Sequence, residues 1–456
     1  MFGIWGHRHA AELSYYGLHA QQHRGQEGAG VVVSDGKELK LHKGLGLVND
    51  VFKHAKFDEL RGHAAIAHIL YSKKRDKRRA VDSVEPLVFH TRKTSLAISH
   101  SGNIVNGEKL RDELESKGSI LQSATDSELL AHLIMRSSNG KTNEEAIIEA
   151  LQQLEGAYTF LILDENSMYV ATDPHGIRPL SIGKLGDAYV VASETSAFDI
   201  VGAKLEREVL PGEMVVINDE GLKSVRFAMR EQRKLCAMEY IYFSRPDSDL
   251  NRVNVHASRK RMGMELAKEA PVEADVVTGV PDSSISAAIG YAEQSGLPYE
   301  MGIIKNRYIG RTFIQPSQEL REQGVKMKLS PVRGIVEGKR VVMVDDSIVR
   351  GTTSKYIVRL LKEAGATEVH VRIASPPIKH PCYYGIDMST REELIAANHS
   401  LEDICELIEA DSIAYLSEEG LKQAIVRERS IHQGICHACM TGEYPVPILD
   451  ERERPS

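Results

Sequence analysis

Val341-Val342-Met343-Val344-Asp345-Asp346-Ser347-Ile348-Val349-Arg350-Gly351-Thr352-Thr353-Ser354 runs from an unbroken apolar stretch into two adjacent carboxylates and then into a short loop rich in Gly, Thr and Ser. A strand that is apolar at every position is buried on both faces, which is the pattern of a parallel sheet covered by helices. The neighbouring sequence repeats the unit. Ala274 to Val280 reads as a strand, with a helix starting near Ser284. Arg340 to Val344 is followed by a helix from about Thr353 to Ala364, and Glu368 to Ala374 is a further strand. Strands alternating with helices between about 256 and 416 predict an α/β domain. Ligands of such sheets sit beyond the carboxyl ends of the strands, which is where Asp345 and Asp346 fall.

The chemistry of that strand end can be read residue by residue. Backbone N–H groups at a helix start, with the hydroxyls of Ser347, Thr352 and Thr353, make a phosphate cradle. Gly351 lets the backbone come close to the phosphate. Paired carboxylates can accept bonds from ribose hydroxyls, hold a hydrated Mg²⁺, or stabilise positive charge at a nearby carbon. A lone Asp pair would more often cap a turn. The whole order, from apolar strand through Asp-Asp to Gly-Thr-Thr at a helix start, resembles the binding motif for 5-phosphoribosyl-1-pyrophosphate (PRPP) in type I phosphoribosyltransferases. Thr278-Gly279-Val280-Pro281-Asp282-Ser283-Ser284 resembles the pyrophosphate loop of the same fold. Its plainer reading is a Pro-Asp turn with a Ser cap.

Residues 1 to about 230 have a different texture. Short strands are expected at Gly30–Val33, Ala64–His68, Tyr158–Leu163 and Met214–Ile217, and helices at Ala10–His19 and Asp126–Arg136. The mixture predicts antiparallel sheets flanked by helices. A length of 456 residues favours two or three domains. The net charge of −7 leaves no footprint for nucleic acid. No apolar run is long enough to span a bilayer, and the start Met1-Phe2-Gly3-Ile4-Trp5-Gly6-His7 is not a secretory signal, so a cytoplasmic location with no membrane partner is expected.

Three further stretches narrow the reading: His23-Arg24-Gly25-Gln26-Glu27-Gly28-Ala29-Gly30, Glu239 to Ser248, and Lys305-Asn306-Arg307 through Gln315-Pro316. With the Asp-Asp motif they resemble the glutamine phosphoribosylpyrophosphate amidotransferase (amidophosphoribosyltransferase) family over nearly the whole chain. The resemblance implies an α+β amino-terminal nucleophile domain, a glutaminase-type αββα sandwich over 1–230. An α/β type I phosphoribosyltransferase domain would follow over 231–456. It implies that ammonia released from glutamine attacks PRPP to give 5-phosphoribosylamine and pyrophosphate. By resemblance Ser283, Asp345 and Asp346 are the Mg²⁺ residues. Lys305, Arg307, Asp345, Asp346, Ser347, Arg350, Gly351, Thr352 and Thr353 bind PRPP, and Lys305 to Gln315 closes over it. Inhibition by purine nucleotides and a homotetramer are inherited expectations.

Five cysteines in a cytoplasmic chain argue for metal or redox chemistry over disulfides. Cys436-His437-Ala438-Cys439 has chelating spacing, which leaves zinc, a dithiol or iron open. In one branch of the resembled family Cys236, Cys382, Cys436 and Cys439 match the ligands of a [4Fe–4S] cluster, which implies a clasp for the carboxy-terminal segment. Cys405 is expected to be a buried or free thiol.

The amino-terminal half departs from the pattern of the family. Members begin, after processing, with Cys-Gly ahead of the stretch that here starts at Met1, and no cysteine precedes Cys236. A thiol nucleophile is therefore missing from the chain as written. Leu70 stands where an Arg would hold the glutamine carboxylate, and Ser101 where an Asn would line the oxyanion hole. A basic run, Ser72 to Arg79, replaces a Thr- and Gly-rich turn and reads as a solvated loop. Asp126, which would hold the glutamine amino group, is retained, and it also reads as a helix cap. These departures imply a glutaminase-dead enzyme using ammonia, free or from a partner. The competing readings are a regulatory or scaffold paralogue that binds PRPP or purine nucleotides without turnover, and a glutamine-dependent enzyme with a misassigned start.

Overall fold

The structure is a computed structural model and describes residues 1–71, 81–90, 94–229, 231–306, 329–388, 390–426 and 433–448. The basic run after Tyr71 and residues 307–315 of the segment Lys305 to Gln315 expected to close over PRPP lie outside the described residues. Among the described residues no helix is long and apolar enough to cross a membrane.

The first half contains two antiparallel sheets. One has seven strands, in the order Lys204–Glu208, Ser181–Leu185, Ala188–Ala192, Phe2–Trp5, Ala64–Leu70, Gly28–Ser34, Leu39–Leu45. The other has six: Gly221–Arg226, Glu213–Asn218, Met168–Thr172, Gly156–Leu163, Ser95–Ile104, Leu87–His90. Alternation along the strands makes the layers. Ala64 and Ile66 face the second sheet and pack with Leu161, Val170 and Val215, while Ala65, Ala67 and Ile69 face helix Ala10–Ala20. Ile98, Phe160 and Val216 of the second sheet face helices Asp126–Ser137 and Asn143–Leu151. The result is a helix–sheet–sheet–helix sandwich, as expected. All four expected strands and both expected helices are present, each extended by one to a few residues. Thr125, whose hydroxyl accepts the Glu128 N–H, caps the second helix, so Asp126 is a first-turn acid and not the cap.

The second half is built on four parallel strands in the order Val276–Gly279, Arg340–Asp345, Glu368–Ile373, Ser412–Tyr415. Val341 and Met343 face Ile357, Val358 and Leu361 of helix Thr352–Glu363. Val342 and Val344 face the opposite layer, formed by helices Val255–Glu269 and Ile285–Ser295. Burial on both sides explains the unbroken apolar run. Those two helices touch backbone to backbone. A Cβ on Gly263 would stand 1.8 Å from the Ala287 carbonyl oxygen, and one on Gly290 1.9 Å from that of Lys260. Gly263→Ala is therefore expected to cost about 1–3 kcal/mol, the usual range for overpacking; chemical denaturation measures it.

Candidate functional site

Asp345 ends the central strand and Asp346 follows it, each only 7% exposed. Buried carboxylates need donors, and serines supply them. Ser284 Oγ donates to Asp345 Oδ1 at 2.9 Å and lies 3.2 Å from Asp346 Oδ2. Ser283 Oγ also donates to Asp346 Oδ2, and Ser347 Oγ to Asp346 Oδ1 at 2.8 Å. The Asp346 N–H turns back to Asp345 Oδ1 at 2.9 Å. Burial, and for Asp345 the adjacent charge of Asp346, push both acids up from the ordinary carboxylate range.

The loop beginning at Val280 reaches this pair because its strand lies beside the acid strand, with Gly279 opposite Val344 and the Val280 N–H on the Val344 carbonyl at 3.0 Å. The Pro281–Asp282 peptide is cis. Gly351 has φ +77° at the start of helix Thr352–Glu363, and a side chain there would meet Ile395 at 2.7 Å. Thr352 and Thr353 are exposed on the first turn, where helix N–H groups lack intrahelical acceptors. A buried acid pair thus sits between a serine-bearing loop and an open helix start. That arrangement can bind a sugar hydroxyl pair on one side and phosphate on the other. Lys305 Nζ pairs with Asp282 at 2.7 Å and Arg350 with Glu393 at 2.7 Å, so neither contacts the acids directly. Arg307 is outside the described residues.

Cys236 and Cys436 stand opposite one another where strand Arg233–Cys236 pairs in parallel with Gln433–Cys436. With Cys382 and Cys439 they line one apolar pocket, flanked by Tyr384 and Tyr444. All four are free thiols. Burial pushes Cys236 up to about 12 and raises Cys436 and Cys439 as well. Among the described residues no three His, Cys, Asp or Glu side chains converge to hold a metal ion. The four cysteines, expected to ligate a cluster, share a pocket without forming such a group, whereas Ser283, Asp345 and Asp346 do lie together at the strand tip. Cys405 is a half-buried free thiol whose Sγ reaches the Ala410 carbonyl at 3.3 Å.

In the sandwich, Leu70 ends strand Ala64–Leu70 and Ser101 lies within Ser95–Ile104. Asp126 accepts the Ile104 N–H at 3.2 Å and lies 3.6 Å from His100 Nδ1 and 3.8 Å from Arg111. Sequence reasoning missed the buried Glu85, which accepts Ser127 Oγ at 2.6 Å and the His100 N–H at 2.7 Å and lies 3.7 Å from His68 Nδ1. Burial raises Glu85 to about 7 and lowers both histidines. It also missed Ser284 as a ligand of the acids, because Ser before a helix reads equally as a cap. A third omission is a buried ion network at the boundary between the halves. Arg24 pairs with Glu194 and, at 2.6 Å, with Glu239, which Arg178 approaches at 3.4 Å. Arg24 and Glu239 had stood out in the sequence, but nothing there joins them.

Two family models match the chain, a glutamine amidotransferase domain over residues 57–199 and a phosphoribosyl transferase domain over residues 256–380. The chain is 59% identical over 457 residues to an amidophosphoribosyltransferase of Bacillus subtilis (strain 168), covering 100% of this chain and 95% of that protein. It is 50% identical over 453 residues to the enzyme of the same name from Staphylococcus aureus (strain MRSA252), covering 99% and 91%. Among solved structures it is similar to glutamine PRPP amidotransferase from B. subtilis complexed with ADP and GMP. The TM-score is 0.93 at 60% identity, covering 99% of this chain and 98% of that one.

Proposed function

This chain belongs to the amidophosphoribosyltransferase family, a group of pentosyltransferases of purine synthesis, and from that premise we propose that residues 231–456 join ammonia nitrogen to the anomeric carbon of PRPP. The nitrogen lone pair forms the new C–N bond as the bond from that carbon to the pyrophosphate oxygen breaks. Pyrophosphate leaves with the bonding electrons, and the nitrogen gives up a proton to yield 5-phosphoribosylamine.

The observation that carries the reading is the buried Asp345–Asp346 pair, held by Ser283, Ser284 and Ser347 next to the Gly351 helix start. In this reading the carboxylates take the ribose hydroxyls, Ser347, Gly351, Thr352 and Thr353 cradle the phosphate, and Lys305, Arg307 and Arg350 add positive charge. Ser283, Asp345 and Asp346 present hard oxygen donors suited to Mg²⁺, which would neutralise charge on the departing pyrophosphate. The negative field of the acids stabilises positive charge developing at the sugar carbon. The direct test is ³¹P NMR of PRPP incubated with the chain, Mg²⁺ and ammonium chloride. Pyrophosphate and phosphoribosylamine are expected, and an unchanged PRPP spectrum overturns the reading in favour of a paralogue that binds without turnover.

We place the amino-terminal half, 1–230, as a glutaminase-type domain with weakened glutamine use. Leu70 offers no charge to a glutamine carboxylate, and Ser101 is a shorter donor than an amide. Ammonia is therefore the direct nitrogen source in this proposal. The solved relative's complex with ADP and GMP supports purine nucleotides as ligands, which we read as inhibitors. A homotetramer and a cytoplasmic location belong to the same reading by family.

The cysteine pocket fits an iron–sulfur cluster by the chemistry of its donors. Four soft thiols from three separate chain segments surround one apolar space. Cys236, Cys382, Cys436 and Cys439 would hold it, and the group would tie the carboxy-terminal segment to strand Arg233–Cys236. Anaerobic reconstitution is expected to give about four iron and four sulfide per chain. Cys436→Ser/Cys439→Ser should lose both, as read by iron and acid-labile sulfide assay.

A further inference from the structure

Arg259 is one of the largest fully buried side chains in the molecule, at 2% exposure. A guanidinium buried this deeply must spend its N–H groups on specific partners. Nε donates to the Tyr240 carbonyl at 2.7 Å and Nη2 to the Ser244 carbonyl at 2.7 Å. Tyr240 lies within the first part of Glu239–Phe243, a single π-helical turn, and Ser244 directly follows it, a geometry that recurs at functional positions. The fork of one Arg thus bonds the turn near its start and just past its end. The same turn presents Glu239 and Ser244 to the other half of the chain. Ser244 Oγ donates to Glu239 at 2.6 Å and receives Arg24 Nη2 at 3.1 Å. Arg24 also pairs with Glu194, and the Phe243 ring lies 4.9 Å from the Arg24 guanidinium and 5.4 Å from that of Arg178. Glu194 in turn accepts the Arg245 N–H at 2.9 Å and Ser248 Oγ at 2.8 Å.

On its other side Arg259 belongs to helix Val255–Glu269, whose backbone meets helix Ile285–Ser295 at Gly263 and Gly290 with no room for a methyl group. His256 Nδ1 and Ser286 Oγ, 2.9 Å apart, add a polar tie between the same helices. Helix Ile285–Ser295 starts directly after Ser283 and Ser284, the two serines that hold Asp345 and Asp346. Close-packed contacts of this kind move as a unit, because interiors have little compressibility.

We propose that Arg259 is a positioning residue for the sugar-phosphate site. It clamps the turn Glu239–Ser244 to helix Val255–Glu269 and so joins the ion network at the boundary between the two halves to the serines that orient the acid pair. The inference rests on the PRPP reading above and adds the residue through which the amino-terminal half tunes that site.

A physical connection is established by coupling and not by adjacency, so the test is a double-mutant cycle on the full chain. The affinity for PRPP with Mg²⁺ is measured by calorimetry for the unsubstituted protein, Arg259→Gln, Arg24→Gln and the pair, with thermal melts alongside. Arg259→Gln is expected to weaken binding about tenfold, a typical coupling magnitude. Arg24→Gln, which removes no contact with the acids or their serines, is expected to weaken it several-fold. The double variant should lose little more than the worse single one. Arg259→Lys keeps the charge but lacks the fork, so it should restore only part of the affinity. It also replaces Arg259→Gln in the cycle should that variant fail to fold. Arg24→Gln binding PRPP normally, or losses that multiply in the double variant, would overturn the proposal while leaving the PRPP reading standing. No binding by the unsubstituted chain would overturn both.

Discussion

Asp345→Asn/Asp346→Asn is expected to remove magnesium-dependent PRPP binding and turnover while leaving the fold intact. Each carboxylate makes bonds that are strong because the acceptor is ionised, and such bonds contribute about 1.5–3 kcal/mol apiece. Losing one from each acid gives about 3–6 kcal/mol, or roughly 10²–10⁴ in affinity. The apo protein should not lose stability. Each asparagine keeps one acceptor oxygen for its serine partners and presents an amide NH2 that the remaining serine hydroxyl can accept from, and the change removes two carboxyls that burial has pushed above their ordinary range. The sign follows from linkage. A raised folded pKa means the native state binds protons more readily than the unfolded chain. The acids therefore cost stability increasingly as pH rises above the ordinary carboxylate range, and the amide variant is relieved of that cost. The melting temperature of the double variant should equal or exceed that of the parent at pH 7–8, with the margin shrinking near pH 4. Calorimetry with PRPP and Mg²⁺, paired with thermal melts across pH, measures both halves. Unaltered PRPP affinity in a folded double variant would sink the functional reading.

Ammonium should outperform glutamine as nitrogen donor by at least about a thousandfold at matched donor concentration. In the proposed reading, two positions contribute to this. A carboxylate held by paired charge-assisted bonds gains several kcal/mol, and Leu70 can make none. An oxyanion-hole donor contributes about 10²–10³ in rate, and Ser101 is followed by Gly102 in a backbone conformation (φ +134°) that favours glycine. A Cβ on Gly102 would lie 1.9 Å from the Ala157 carbonyl oxygen. Release of pyrophosphate with ammonium chloride or with glutamine is the measurement. Comparable rates with the two donors would show that the pocket still works and would retire the ammonia proposal. Leu70→Arg/Ser101→Asn should strengthen glutamine binding, seen as a lower Kd for glutamine by calorimetry, with the ammonium rate unchanged.

Legibility in the sequence followed the range of the interactions. The stretch from Val341 to Ser354 could be read in full because strand, acids, loop and helix start are consecutive, and each residue type answers to a local demand. Gly351 was assigned to a close approach, and the structure gives it a positive φ at a helix start. The strands of the sandwich were visible as short β-branched runs, but their order in the two sheets was not. Strand Phe2–Trp5 lies between Ala188–Ala192 and Ala64–Leu70, a pairing that no local pattern encodes. Ser284, placed by resemblance in a pyrophosphate loop, could equally read as a cap, because a hydroxyl before a helix looks the same whether its partner is its own backbone or a carboxylate 61 residues away. The cysteines were grouped by resemblance, and folding brings them to one pocket without converging them on an ion.

The sequence by itself determined that this chain carries a parallel α/β domain with an acid pair and a Gly-Thr-Thr helix start at one strand tip, preceded by an antiparallel unit. These are matters of residue type and short spacing, where the physics is local. Only the tertiary structure decided what stabilises the acids and what joins the two halves. Ser284, Arg259 and the Arg24–Glu239 pair, the last 215 residues apart, act through burial. Whether a charge is buried depends on what the rest of the chain packs over it.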